Sequence, residues 1–182
     1  MPNKSHVQKV DVVILGAGAA GMMCAIEAGK RGRRVVLLDH AERVGKKILI
    51  SGGGRCNFTN IHCRAENFLS ENPHFAKSAL ARFTPSDIIA LVDKHGIRYH
   101  EKTLGQLFCD RSSHDITAML ERECAEANVR TVVGANIISV NRSEQFQVHT
   151  PDTVFQSASL VVATGGLSIP KMGATALGYT LA

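Results

Sequence analysis

The chain has 182 residues, with 21 Lys+Arg against 16 Asp+Glu for a net charge of +5, and 45% of its residues are hydrophobic. That apolar fraction supplies a real core and excludes an intrinsically disordered chain, and the length is that of one domain or slightly more. The lack of tryptophan, the 5% aromatic content and the dispersed charge argue against a module that stacks bases or tracks phosphates, so nucleic acid is not expected as a partner.

In chain order, Asp11–Leu15 is a continuous apolar run and reads as a short buried strand. Ala19–Arg31 reads as a helix stopped by Gly32, and Arg34–Leu38 as a second buried strand. Strand, glycine turn, helix and parallel strand make a βαβ unit with a right-handed crossover. Lys4 and Lys9 ahead of the uncharged run Val12–Ile26 imitate a targeting signal. The run is too short to span a membrane, and Gly16, Gly18 and Gly21 interrupt the apolar stretch that a signal peptide requires. Arg31, Arg33 and Arg34 read as a solvated turn before the second strand.

The glycine-rich segment Gly45–Asn60 lacks periodicity and reads as a long functional loop. Helices are expected over Pro73–Phe83 and Pro85–His95, the second with Thr84 as N-cap and Gly96 as its stop. Ile97–Cys109 reads as two short strands around Gly105. Ser112 and Asp115 resemble a capping box that opens a helix to about Ala127. Four β-rich segments follow, at Val129–Val133, Ile137–Val140, Phe146–Thr150 and Thr153–Phe155, and read as a small antiparallel meander. Leu160–Ala163 returns to the parallel sheet as a buried strand ending at Thr164–Gly166, and Tyr179 opens a last helix. A helix of one turn buries little, so the chain reads as stopping within its architecture. The fold class is α/β: a Rossmann-like parallel sheet with flanking helices and a small antiparallel meander, all of residues 1–182 forming one incomplete dinucleotide-binding domain.

Gly16-Ala-Gly-Ala-Ala-Gly21 is a G-x-G-x-x-G between a predicted strand and helix. Gly16 permits the tight turn, Gly18 lets main chain approach a pyrophosphate, and Gly21 lets helix and strand pack closely. The first-turn N–H groups around Ala19 and Ala20 then face the phosphates, aided by the helix dipole. Asp39 closes the second strand, where its carboxylate can accept from ribose hydroxyls. His40 either touches the adenosine or faces solvent. The pattern identifies an adenine dinucleotide without separating NAD from FAD.

Gly52–Gly54 strip side chains from a second stretch of backbone, followed at once by Arg55, Cys56 and Asn57. This is either a ligand loop, with Arg55 pairing an anion and Asn57 offering donor and acceptor, or a surface loop. Ala163, Thr164, Gly165 and Gly166 lie beyond a strand's carboxyl end, where open α/β sheets bind ligands, although an ordinary strand-end turn also fits. The spacing of Cys56, Cys63, His62 and His74 matches no zinc pattern, so no metal is expected. Cys56 reads as a structural or flavin-packing cysteine, Cys24 as inert core, and His95 and His100 as surface residues. Five cysteines without a C-x-x-C pair are no disulfide framework and point to a reducing, cytoplasmic setting.

Gly16–Gly21 with Asp39, GKKILISGGGRCNFTN at 45–60 and ATGGLSIPKMGAT at 163–175 together resemble the BaiN-like bacterial flavoproteins, NAD(P)/FAD-dependent oxidoreductases with a glutathione-reductase-like fold. The resemblance implies FAD at the Rossmann turn, NAD(P)H as reductant and a small organic substrate; no membrane partner is expected, because the uncharged run near the start is too short to span a bilayer. It implies that Gly16, Gly18, Ala19, Ala20 and Gly21 hold the pyrophosphate and Asp39 the ribose. Lys46, Arg55, Cys56 and Asn57 then lie along the ribityl and flavin side, the strand backbone at Ile137 meets the adenine, and Ala163–Gly166 cover the dinucleotide. Ala176 stands where the family usually carries Gly. Family members are about twice as long, with an inserted substrate-side domain and a C-terminal flavin-contacting segment, so this chain alone is expected to hold FAD weakly or not at all. No residue stands out as catalytic. The rival readings are a non-catalytic remnant with a nucleotide-binding scaffold and a small NAD-binding domain.

Overall fold

Ten residues, His6–Leu15, form strand β1. The computed structural model describes residues 6–167 and 175–181; Lys4 and residues 168–174 of the last glycine motif lie outside that range. β1 starts five residues before the predicted strand because its first half alternates in polarity and pairs with a single neighbour. His6–Val10 align in parallel with Thr153–Ser157, while β2, Val35–Leu38, meets β1 only along Val12–Leu15. Between them runs helix α1, Ala19–Lys30.

The chain divides into two compact units, one of residues 1–47 and 120–182 and the other of residues 48–119. The first unit holds a six-stranded sheet ordered β6-β2-β1-β9-β8-β7, with β6 at Arg130–Val132, β7 at Ser139–Arg142, β8 at Phe146–His149 and β9 at Thr153–Val162. β6, β2, β1 and β9 are parallel, and β8 and β7 run antiparallel beyond β9. The α/β Rossmann-like class is therefore the observed one. One sheet face packs Val13, Leu15, Val36 and Leu38 with Ala135, Val148 and Phe155. The other carries the buried Ile14 and Leu37, with α1 packed on β1 and β2. α1 turns Met22, Ala25 and Ile26 inward. Gly29 brings the far end of α1 against Ala127: a Cβ there would meet the Ala127 carbonyl oxygen at 2.4 Å.

The second unit holds a three-stranded antiparallel sheet ordered β3-β5-β4, with β3 at Asn57–Asn60, β4 at Tyr99–Glu101 and β5 at Gln106–Cys109. Helices α3 (Lys77–Arg82) and α4 (Pro85–Lys94) lie between β3 and β4 in sequence. Thr84 caps α4 as expected: its hydroxyl accepts from the Asp87 N–H, and the Asp87 carboxylate accepts from the Thr84 N–H at 2.7 Å. Helices α2 (Lys46–Ile50) and α5 (His114–Glu126) carry the chain from one unit to the other.

Several elements differ from expectation. Gly45–Asn60 is no irregular loop but α2, a 3-10 turn at Ser51–Gly54, and β3. α3 is about half the predicted helix. Arg130–Val132 is a parallel edge strand beside β2 rather than part of the meander. β9 is one continuous strand, since the buried Ser157 hydroxyl donates to the Ser159 carbonyl at 2.8 Å and so keeps a polar stretch in the sheet. Its end is less buried than predicted, Val162 being 45% exposed. Asp115 binds the Arg111 guanidinium instead of completing a box with Ser112, whose hydroxyl accepts from the His114 N–H. Arg31, Arg33 and Arg34 are exposed, as expected of a solvated turn, although Arg31 pairs with Glu27 and Arg34 with Asp11. The last described helix, α6, begins at Leu177 rather than Tyr179.

Candidate functional site

The three glycines of the first turn have three separate reasons to be glycine. Gly16 leaves β1 at φ +104°, and a Cβ there would meet the Ala163 carbonyl oxygen at 2.4 Å. Its N–H donates to the Leu38 carbonyl at 2.7 Å. A Cβ at Gly21 would fall 1.8 Å from the Gly16 carbonyl oxygen, so the turn closes only onto bare main chain. Gly18 is different. It is the N-cap of α1 with an ordinary φ of −81°, and a Cβ there would meet nothing within 4 Å. No side chain caps the helix, and Ala19 and Ala20 are exposed. The open first turn of a 12-residue helix thus presents N–H groups and the positive end of its dipole.

Asp39 ties this turn to the end of β2. Its Oδ2 accepts from the Ala17 N–H at 2.6 Å and its Oδ1 from the Ala41 N–H at 2.8 Å; His40 Nδ1 lies 3.6 Å from Oδ1. Its backbone N–H and C=O bond Val132 and Ala135. The residue is thus first a brace for the glycine turn, and a carboxylate, with about four lone-pair sites, still has acceptor capacity beyond the two N–H groups.

Beside this brace opens a cleft of about 260 Å³, lined by residues that include Gly16, Asp39, His40, Ile137 and Thr164. It lies beyond the carboxyl ends of β1 and its neighbours, where β2 flanks β1 on one side and β9 on the other, the position at which open α/β sheets bind ligands. Ile137 is there as expected but not in a strand, since β7 begins at Ser139. The Ala163 N–H continues the ladder to Leu15 at 2.8 Å. Gly165 takes φ +73°, and the Gly166 carbonyl accepts from Lys47 Nζ at 3.2 Å. Lys46, the lysine named from the sequence, is half-buried at the start of α2; its neighbour Lys47 makes the contact to the terminal glycine turn.

In the second unit the glycine run is divided. A Cβ at Gly52 would lie 2.6 Å from the Phe108 ring, whereas Gly53 and Gly54 face open space at φ +67° and +87°. Arg55 is exposed. Cys56 is buried at φ +54°, an uncommon conformation for a residue with a side chain. Burial pushes its thiol up from the usual range, against a hydrogen bond to Ser51 that lowers it. The Asn57 amide, with its nitrogen turned inward, donates to the Leu107 and Thr59 carbonyls at 3.1 and 2.9 Å, so it braces the sheet. Sequence reasoning missed Lys47, Ala135 and Asn136. Lys47 was hidden beside an equivalent lysine, and Ala135 and Asn136 line the cleft from the irregular stretch between β6 and β7, where no motif marks them.

Residues 10–182 match the HI0933-like protein Rossmann domain family. The chain is 51% identical over 177 residues to a ribosomal RNA dihydrouridine synthase of Escherichia coli strain K12, covering 97% of this chain and 44% of that protein. It is 29% identical over 174 residues to a 3-dehydro-bile acid delta(4,6)-reductase of Clostridium scindens, covering 93% and 42%. This chain therefore spans less than half the length of these relatives. Among solved structures, a 3-ketosteroid-delta4-(5alpha)-dehydrogenase from Rhodococcus jostii superposes with a TM-score of 0.66 at 14% identity over 91% of this chain and 48% of that one, a likeness of fold.

Proposed function

The chain belongs to the HI0933-like Rossmann domain family, and from that premise we propose that it is the FAD-holding part of a reductase that saturates an activated carbon–carbon double bond, with uridine in ribosomal RNA as the substrate. The observation that carries the cofactor is Gly18. Gly16 and Gly21 are bare because protein packs on them, while Gly18 is bare toward open space at an uncapped helix start. That cradle fits a pyrophosphate, and the cleft bounded by Asp39 and Ile137 fits the adenosine beside it. Gly16, Gly18, Ala19, Ala20 and Gly21 would hold the phosphates, Asp39 and His40 the ribose side, and Ala163–Gly166 the far edge. Lys46, Arg55, Cys56 and Asn57 would serve the flavin side.

The bound flavin would supply hydride, drawn from NAD(P)H, while the protein supplies position and electrostatics. The two relatives' names both describe reductions, of a uridine and of a 3-dehydro bile acid, and the greater identity of the first favours RNA. This reading sets aside the composition-based expectation that nucleic acid is not a partner.

The test is a titration of the purified chain with FAD, followed by flavin fluorescence. Saturable binding, weaker than micromolar for this chain alone and competed by ADP, is expected. Gly18→Val should weaken it by at least ~10-fold, about 1.4 kcal/mol, with the unfolding midpoint unchanged, because no protein atom contests the new side chain. Equal FAD binding by Gly18→Val and the unaltered chain, or none by either, would overturn the proposal.

A further inference from the structure

β1 has ten residues and β2 only four, and the parallel register starts β2 at Val35, opposite Val12. Over His6–Val10, β1 therefore has β9 on one side and no described strand on the other. β6 begins at Arg130, level with Val36, and does not fill the gap. The space left at the amino ends of these strands is a cleft of about 390 Å³. It is basic: Lys9, Arg33, Arg34 and Arg130 line it together with Gln8 and Asn128, and among the described residues that line it none is acidic. All four cations are exposed. Main chain fixes where they stand. α1 closes with the Gly32 N–H on the Gly29 carbonyl and the Arg33 N–H on the Ala28 carbonyl, at 2.8 and 3.2 Å. Arg34 is tied to Asp11, and Arg130 donates across the gap to the Gln8 side chain, a neutral partner. Lys30 and Arg31 are matched by Glu123 and Glu27, but no ion pair among the described residues engages Lys9, Arg33 or Arg130.

We propose that this cleft binds the phosphate backbone of the RNA substrate, through Lys9, Arg33 and Arg130. Clustered cations in excess over their carboxylates are the electrostatic footprint of nucleic acid binding, and a guanidinium matches phosphate oxygens two at a time. The inference rests on the reading of ribosomal RNA as the substrate and deepens it through distance. This cleft lies at the amino ends of the strands and the cofactor cleft at their carboxyl ends, and a ten-residue strand such as β1 spans ~30 Å. A folded RNA reaches across that length; a substrate the size of a steroid does not. Charge that is dispersed along the sequence conceals the site, because the sheet order is what brings Lys9 beside Arg130.

The experiment follows the fluorescence anisotropy of a labelled, uridine-containing fragment of ribosomal RNA as it is titrated with the chain at saturating FAD, over a series of salt concentrations. Arg33→Glu and Arg130→Glu should each weaken binding ~10-fold and lower the slope of log affinity against log salt by about 1. Lys77→Glu, an equal change of net charge at an exposed position of the second unit, should leave both quantities nearly unaltered. FAD affinity and the urea midpoint should be the same in all four chains, which separates lost contacts from lost fold. RNA held as tightly by the Arg33 and Arg130 variants as by the unaltered chain would make these cations a guard on an open strand edge, and overturns the site while RNA stands as substrate. Displacement by inorganic phosphate at the concentration of the RNA's own phosphates would mark a small-anion site and likewise overturns it. No RNA binding by an unaltered chain that holds FAD overturns the site and the RNA reading together.

Discussion

A Cβ at Gly21 would lie 1.8 Å from the Gly16 carbonyl oxygen, and neither partner can yield, since one is backbone in a tight turn and the other backbone in a helix. Gly21→Ala should therefore destabilise by about 3 kcal/mol or more, at or above the usual cost of overpacking. A urea unfolding series checks this against Gly18→Ala, which should change stability by less than about 0.5 kcal/mol. A Gly21→Ala chain as stable as the parent would mean that the turn does not close on this helix. The glycine turn was legible because G-x-G-x-x-G encodes backbone geometry directly. Asp39 was legible in position but only half in role: nothing in its spacing shows that two N–H groups already occupy its oxygens. Cys56, read from the sequence as a structural or flavin-packing cysteine, is buried, and burial raises both its thiol and that of Cys109, the latter to about 12.

At the scale of elements, misreadings arose where polar residues sit inside regular structure or neighbouring segments share one composition. β9 was split at Ser157–Ser159 because a buried serine looks like a turn. Arg130–Val132 was assigned to the meander because a three-residue strand carries no mark of its partner. The junction of β1 and β2 shows the same limit. Asp11 accepts from the Arg34 N–H and from its guanidinium, each at 2.8 Å, an ion pair across the crossover that no periodicity reveals. The side-chain bond to Arg34, then the backbone one, hold the Asp11 carboxyl down to about 2. A carboxyl depressed in the fold contributes stability that is complete above its unfolded value, near 4. That contribution fades as pH falls toward 2. Asp11→Asn should thus lower the urea midpoint by a constant amount above pH 4, and the gap should close on acidification. A gap that persists to pH 2 would assign the effect to packing instead.

For the whole molecule, the two units differ in how deeply they bury their chain. In the first, Val13, Ile14, Leu15, Val36, Leu37 and Leu38 are at most 1% exposed on two adjacent inner strands, and hydrophobic burial of this kind sets the global limit on local opening. In the second, residues 61–83 expose Ile61 (43%), Leu69 (94%), Phe75 (52%) and Phe83 (40%), and their regular structure is limited to one 3-10 turn and the six residues of α3. Backbone with so little buried apolar support opens at low free energy. Hydrogen exchange followed by mass spectrometry should show peptides of β1 and β2 exchanging last and those of residues 61–83 first. α4, with its reciprocal Thr84–Asp87 cap and the fully buried Val92, should fall between. Saturating FAD should slow exchange over Gly16–Gly21 and Ala163–Gly166, because a ligand that binds only the closed form adds its binding free energy to the cost of opening. Unchanged exchange there at saturation would dissociate the glycine turn from the cofactor, whatever the rest of the chain does.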